Sequence, residues 1–210
     1  MSLPRAKTAF TAQDYLAWEE RSPSKHEYLA GEIFAMVGAT DAHVTITGNL
    51  FMLLRAHVRG LPCRVYMAEM KLRVEIADAF FYPDILVTCS PEDHAAPLFK
   101  RQPTLVVEVL SASTAAFDRG RKFAIYRQLP SLREYVLIEP DRMSVECFRR
   151  DECDRWVLQA YGPGETVDLS SLDFSTTMEA LYEDVTLPAG EDDGDWRLPL
   201  INAYVNLADR

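Results

Sequence analysis

The chain has 210 residues, a formal net charge of −10, 48% apolar and 26% charged residues. That length supports one domain with a sizeable core, and the composition is that of a globular protein rather than a disordered or fibrous one. No apolar run approaches the ~18 residues of a membrane span, and the acid excess excludes an evenly basic surface of the kind dedicated nucleic-acid binders carry.

The N-terminus, Met1 to Lys7, has no apolar h-region, so no secretory signal and a cytoplasmic location are expected. Cys63, Cys89, Cys147 and Cys153 lack CxxC spacing, which argues against a zinc site or a disulfide framework and for reduced thiols. In chain order, Thr11 with Asp14 opens a helix carrying Tyr15, Leu16 and Trp18. Glu27 to Leu29 and Ile33 to Val37 flank Ala30-Gly31-Glu32, a hairpin signal. Asp41 begins a helix through about Arg59, with Val44, Ile46, Leu50, Leu53, Leu54 and Val58 mostly on one face and Gly60 ending it. Strands follow at Cys63 to Met67, Lys71 to Ile76, Tyr82 to Thr88 and Thr104 to Leu110. Asp118 caps a helix through about Gln128. Glu134 to Ile138, Ser144 to Arg149 and Trp156 to Tyr161 return to strand, and a short helix lies around Thr177–Tyr182. The pattern predicts a mixed α/β domain, a mixed central sheet flanked by helices, over residues 8–186. Residues 187–210 read as an acidic linker and a short apolar tail around Trp196 to Leu207.

Two carboxylates stand out because they sit on runs that read as buried strands. One is Asp84 in Tyr82-Pro83-Asp84-Ile85-Leu86-Val87, the other Glu108 in Leu105-Val106-Val107-Glu108-Val109-Leu110. Buried carboxylates usually have a partner or a metal. With Lys122 on the following helix, they are the parts of a divalent-metal phosphodiesterase: two carboxylates for the cation and an ammonium for the nucleophile or transition state. Lys100, Arg101, Arg119, Arg121, Arg127 and Arg133 could form a local basic rim on an acidic body.

These segments resemble the Uma-type family of restriction endonucleases, within the PD-(D/E)xK nuclease superfamily. The likeness rests on Lys25-His26-Glu27-Tyr28-Leu29-Ala30-Gly31-Glu32-Ile33, His43, Tyr82-Pro83-Asp84, Val107-Glu108-Val109-Leu110-Ser111, Asp118-Arg119-Gly120-Arg121-Lys122 through Tyr126, and Leu129 to Tyr135. The resemblance implies a restriction-endonuclease-like fold, Mg²⁺ dependence with Mn²⁺ as a substitute, and nucleic acid, DNA first, as substrate. In the superfamily pattern a lysine stands two residues after the second carboxylate. Here that position is Leu110, and Lys122 is the candidate replacement, since a lysine stem can deliver its ammonium from a helix packed over the strand end.

The chemistry so assembled places Asp84, Glu108 and the Val109 carbonyl as metal ligands and Lys122 beside the attacking water. Glu27 is a further ligand or water acceptor, His43 a member of the site wall, and Tyr126 a polar neighbour one turn from Lys122. Simpler readings stand beside these. Asp84 could end a strand, Lys122 could be a solvated helix residue, Glu27 an exposed hairpin charge and His43 a cap or core histidine. Two other function classes remain: a noncatalytic binding module on a nuclease fold, and a metal-dependent hydrolase of a small phosphoester. A homodimer would suit an enzyme acting on two strands of a duplex.

Overall fold

The computed structural model describes residues 10–188. Its elements run α1 (Ala12–Glu19), β1 (His26–Leu29), β2 (Glu32–Ala35), α2 (Asp41–His57), β3 (Arg64–Met67), β4 (Lys71–Val74), β5 (Ala79–Phe81), β6 (Ile85–Thr88), α3 (Pro91–Ala95), β7 (Phe99–Lys100) and β8 (Leu105–Val109). After them come α4 (Ala115–Phe117), a π-helical turn Asp118–Lys122, α5 (Phe123–Tyr126), β9 (Glu134–Ile138), β10 (Val145–Arg150), β11 (Trp156–Tyr161), β12 (Thr166–Leu169), β13 (Phe174–Thr177) and α6 (Met178–Leu181).

The central sheet has six strands in the order β11-β10-β9-β8-β6-β3; only the β8–β9 pair is parallel. A second sheet, β2-β1-β5-β4-β7, and the β12–β13 hairpin complete the architecture. The period-2 alternation of β8 explains the layering. Leu105, Val107 and Val109 face a core shared with Ile46, Leu50 and Leu54 of α2, β12, β13 and α6. Val106 and Leu110 face the opposite core, with Ile125 and Tyr126 of α5 and Leu72, Val74 and Phe81 of the second sheet. A smaller cluster of Tyr15, Tyr28 and Phe80 seats α1 on that sheet.

Local chemistry matches several expectations. Thr11 and Asp14 form a full capping box on α1. The β1–β2 hairpin turns through Ala30 and Gly31, at φ 50° and 92°, and only glycine reaches the second value without strain. The β12–β13 hairpin and α3 were not anticipated. Glu134 ties that hairpin down. Fully buried on β9, it accepts from Arg149 Nε at 2.7 Å and from the Ser171 backbone N–H at 3.1 Å.

Three expectations need correction. Tyr82 to Thr88 is not one strand: β5 ends at Phe81 and β6 starts at Ile85, so Tyr82-Pro83-Asp84 crosses from one sheet to the other. Asp118 does not cap a helix; the helix begins at Ala115 and Asp118 is buried inside its π-turn. Cys63 and Cys89 are joined as a disulfide, not held as reduced thiols. The reason is the antiparallel β3–β6 register, which pairs Arg64 with Thr88 and so sets the two flanking cysteines face to face. A separation of 26 residues in sequence gives no hint of that pairing. The tail from residue 189 lies outside the described residues, whereas Val185 and Leu187 still pack on the core. Among the described residues no helix is long and apolar enough to cross a membrane.

Candidate active site at the mouth of strands β6 and β8

The break at Tyr82-Pro83-Asp84 creates the site. The β6–β8 ladder pairs Ile85 with Val107; continued, it would set Asp84 opposite Glu108 and then Pro83 opposite Val109. Proline has no N–H to give, so the ladder stops there. Asp84 takes over the vacated hydrogen bond: its Oδ2 accepts from the Val109 N–H at 2.8 Å. The same oxygen lies 3.2 Å from His43 Nε2, which comes from the first turn of α2, and the His43 ring also engages the Val109 carbonyl. Burial works against a charge on His43, but Asp84 and that carbonyl outweigh it and raise the histidine above its ordinary value.

Glu108 occupies the other face of β8. It is 4% exposed, and its Oε1 receives Lys122 Nζ at 2.9 Å and the Tyr126 hydroxyl at 3.0 Å. Lys122, 5% exposed, also reaches Glu27 at 3.2 Å and Asp118 at 3.5 Å, so its three ammonium hydrogens face three carboxylates. Burial opposes its charge, yet Glu108, Glu27 and Asp118 together hold its pKa well above the ordinary lysine value. Burial pushes Glu108 the other way for an acid, upward; Lys122 pulls it back, and the neighbouring carboxylates of Asp118, Asp84 and Glu27 reinforce the rise.

The six side chains expected at the site gather around the end of β8 in two contact groups, His43 with Asp84, and Glu27, Glu108, Lys122 and Tyr126 together. Among the described residues Asp84 acts on Glu108 through charge and not through a contact. Their relations differ from those expected. Glu27 is not an exposed hairpin charge: its Oε1 holds Lys122 and accepts the Tyr82 N–H at 3.2 Å. It joins the site through the lysine rather than through Asp84. Tyr126 is fully buried and orients Glu108. Two residues escaped sequence reasoning. The Asp118 carboxylate is the third partner of Lys122, and the Tyr135 hydroxyl donates to the Asp118 carbonyl at 3.1 Å. The four-residue spacing of Asp118, Lys122 and Tyr126 was the available signal, since such residues share a helix face.

The family model described as "Putative restriction endonuclease", Uma2, matches residues 12–179. The chain belongs to the Uma2 family. Two uncharacterized proteins of Synechocystis sp. are related to it. One is 34% identical over 170 residues, covering 81% of this chain and 90% of the relative; the other is 33% identical over 150 residues, covering 70% and 85%. Among solved structures, a protein of Anabaena variabilis described as a putative nuclease belonging to DUF820 superposes with a TM-score of 0.68 at 18% identity. The match covers 82% of this chain and 97% of that one. The fold is restriction-endonuclease-like, as the sequence resemblance implied.

The donor set of this Uma2 chain suits a hard cation. Asp84 Oδ1 and Glu108 Oε2 have no hydrogen bond among the described residues, and the Val109 carbonyl is engaged by the His43 ring. Four carboxylates (Glu27, Asp84, Glu108, Asp118) surround one ammonium and one histidine, a local excess of negative charge that a divalent ion would relieve. Among the described residues no three His, Cys, Asp or Glu side chains form a cage by themselves. A cation held here would complete its shell with the carbonyl, water and substrate oxygens, the habit of Mg²⁺ rather than of structural zinc.

Half of the basic rim expected around the site is spent elsewhere. Arg119 turns to Glu139 at 2.6 Å and Glu146 at 3.1 Å, Arg101 pairs with Glu75, and Lys100 is buried against the Asp93 and Ala96 carbonyls. Arg121, Arg127 and Arg133 stay exposed.

Proposed function

We propose that this protein is a Mg²⁺-dependent endonuclease that hydrolyses phosphodiester bonds of nucleic acid, DNA in the first instance, and that Mn²⁺ can replace Mg²⁺. The observation that carries the proposal is the Lys122 ammonium, delivered from the helix to within 2.9 Å of Glu108 at the strand mouth where Asp84 also stands. It supplies from the helix the cation that the superfamily pattern places at the position held here by Leu110.

In this reading Asp84, Glu108 and the Val109 carbonyl hold the metal. Bound there, Mg²⁺ supplies an acidified water and neutralises charge on the scissile phosphate. Lys122 orients the attacking water and offsets the negative charge that grows on the phosphate oxygens. Glu27 and Asp118 keep the lysine charged and aimed, Tyr126 fixes the Glu108 rotamer, and His43 steadies Asp84 from the opposite face. Burial of the Lys122–Glu108 pair keeps these interactions strong, because little water screens them.

The test is calorimetric titration of Mg²⁺ and Mn²⁺ into the wild type and into Glu108→Gln, with a supercoiled-plasmid nicking assay run beside it. Metal binding that disappears in Glu108→Gln, and nicking that also needs Asp84 and Lys122, is the expected result. Metal binding without nicking of DNA or RNA would shift the reading to a small phosphoester, an alternative favoured by the spending of Lys100, Arg101 and Arg119 on partners other than substrate. Absence of Glu108-dependent binding would make the cluster structural and the protein a noncatalytic module. A cytoplasmic location and a homodimer belong to the same proposal. Two copies would address two strands, and the edge strand β2 with its continuation exposes Ile33, Phe34, Met36 and Val37 for such a contact.

A further inference from the structure

We propose that the pocket between the C-terminal end of α2 and the edge strand β3 binds backbone phosphates of a nucleic-acid strand, away from the bond that is cut. The proposal rests on the nuclease reading for the identity of the polyanion. The pocket has a volume of about 690 Å³ and is lined by Arg55, Arg59, Arg64 and His94, over a floor that includes Val58 and Cys63. The three arginines are exposed, and none has a side-chain hydrogen bond or a carboxylate partner among the described residues.

What sets them apart is that all three line one concavity. With 32 acidic against 22 basic residues, many guanidinium groups find a carboxylate: Arg73 pairs with Asp78, Arg101 with Glu75, Arg119 with Glu139 and Glu146, Arg149 with Glu134 and Asp168, and Arg155 with Asp151. Three uncompensated arginines converging on one concavity therefore make a local positive field on an acidic body. Guanidinium forks match phosphate geometry, and His94 adds an imidazole to the wall.

The features of the site favour a polymer over an enclosed small anion. The arginines are surface residues around an open concavity, with no buried polar cage to exclude water. Phosphodiester contacts of this kind draw their affinity from counterion release and need no such cage. The location fits as well. Helix α2 presents His43 to the carboxylate site at its start and Arg55 near its end, about 18 Å apart along the helix axis. The β3–β6 register likewise puts Arg64 at the end of the sheet opposite Asp84. At about 3.4 Å per step, some five nucleotides of strand span that distance. An anchor there would let a net acidic enzyme hold a polyanion away from the carboxylates of the reaction centre.

The experiment compares wild type, Arg55→Gln/Arg59→Gln/Arg64→Gln and Arg155→Gln in binding a fluorescent duplex longer than one helical turn. Anisotropy is followed against salt, with chelator present so that no cleavage occurs. The triple variant removes only exposed, unpaired charges, so its thermal melt should overlay the wild type. The expected result is affinity roughly tenfold or more weaker at low salt and a salt-dependence slope smaller by about two to three, with Arg155→Gln, an exposed arginine held by Asp151, staying close to wild type. An unchanged slope and affinity would overturn the proposal, as would a wild type that binds no nucleic acid. Displacement of the duplex by an equal concentration of inorganic phosphate would also overturn it, in favour of a small-anion site. Plasmid nicking separates the two readings. Nicking with no arginine-dependent binding defeats the pocket alone, and arginine-dependent binding with no nicking defeats the catalysis alone.

Discussion

Lys122 is the residue on which the site turns, because its burial among Glu27, Glu108 and Asp118 leaves each of them dependent on it. Removing one partner of a buried pair strands the other charge, at a cost of about 3–5 kcal/mol. Lys122→Met should therefore destabilise the metal-free protein by that order in urea denaturation. The double variant Glu108→Gln/Lys122→Met should lose less than the sum of the two single changes. Strict additivity would mean that the pair is not coupled as the 2.9 Å contact requires. A second residue-scale case lies at the turn between β4 and β5. Partial burial works against the Asp78 charge, but the Tyr28 hydroxyl at 2.7 Å and Arg73 Nη2 at 2.8 Å outweigh it and hold the carboxyl below its ordinary value. A carboxyl depressed in the folded state contributes stability that is present above its unfolded pKa of about 3.9 and lost as pH falls through the folded value. Asp78→Asn, which tolerates the left-handed backbone at φ 46°, should flatten the acid limb of the stability curve below about pH 4. An unchanged acid limb would show that the Tyr28 and Arg73 contacts do not hold in solution.

At the scale of elements, the decisive feature is the interruption between β5 and β6. Pro83 ends the ladder, and the strands part just where Asp84 and the Val109 backbone face each other. The far end of β6 is fastened instead by the Cys63–Cys89 link to β3. Closing a loop of 26 residues restricts the unfolded chain, so Cys63→Ser, or reduction of the wild type, should cost roughly 2–4 kcal/mol in chemical denaturation. Indifference to reductant would show that the thiols are not paired in solution. Much at this scale was legible. The capping box at Thr11, the Ala30-Gly31 turn, the apolar face of α2 and the strands at 134–138 and 156–161 follow local rules that depend on near neighbours. The β12–β13 hairpin was not, because its alternation is short and Glu134, a residue more than thirty positions away, supplies its anchor. The π-turn escaped as well, since helical periodicity in sequence does not distinguish a widened turn from a regular one.

For the whole molecule, the acid excess and the exposed apolar edge are the properties that matter. Self-repulsion from a charge of −10 favours separation. Burial of Ile33, Phe34, Met36 and Val37 between two β2 edges would favour association, through an isologous contact. Sedimentation velocity should find a dimer for the wild type and a monomer for Phe34→Lys; a monomeric wild type at all concentrations would remove the homodimer from the proposal. The sequence alone determined which residues were chemically costly: Glu108 inside five apolar neighbours, Asp84 behind a proline, Lys122 on an amphipathic turn. It also carried the family, because those motifs recur as local strings. Tertiary structure decided what each one touches. The partner of Lys122, the purpose of Glu27, the entry of Asp118, the disulfide and the three idle arginines all depend on strand register and helix packing, which bring together residues up to about a hundred positions apart. Composition records that such charges exist, and only the folded geometry determines which of them are neutralised.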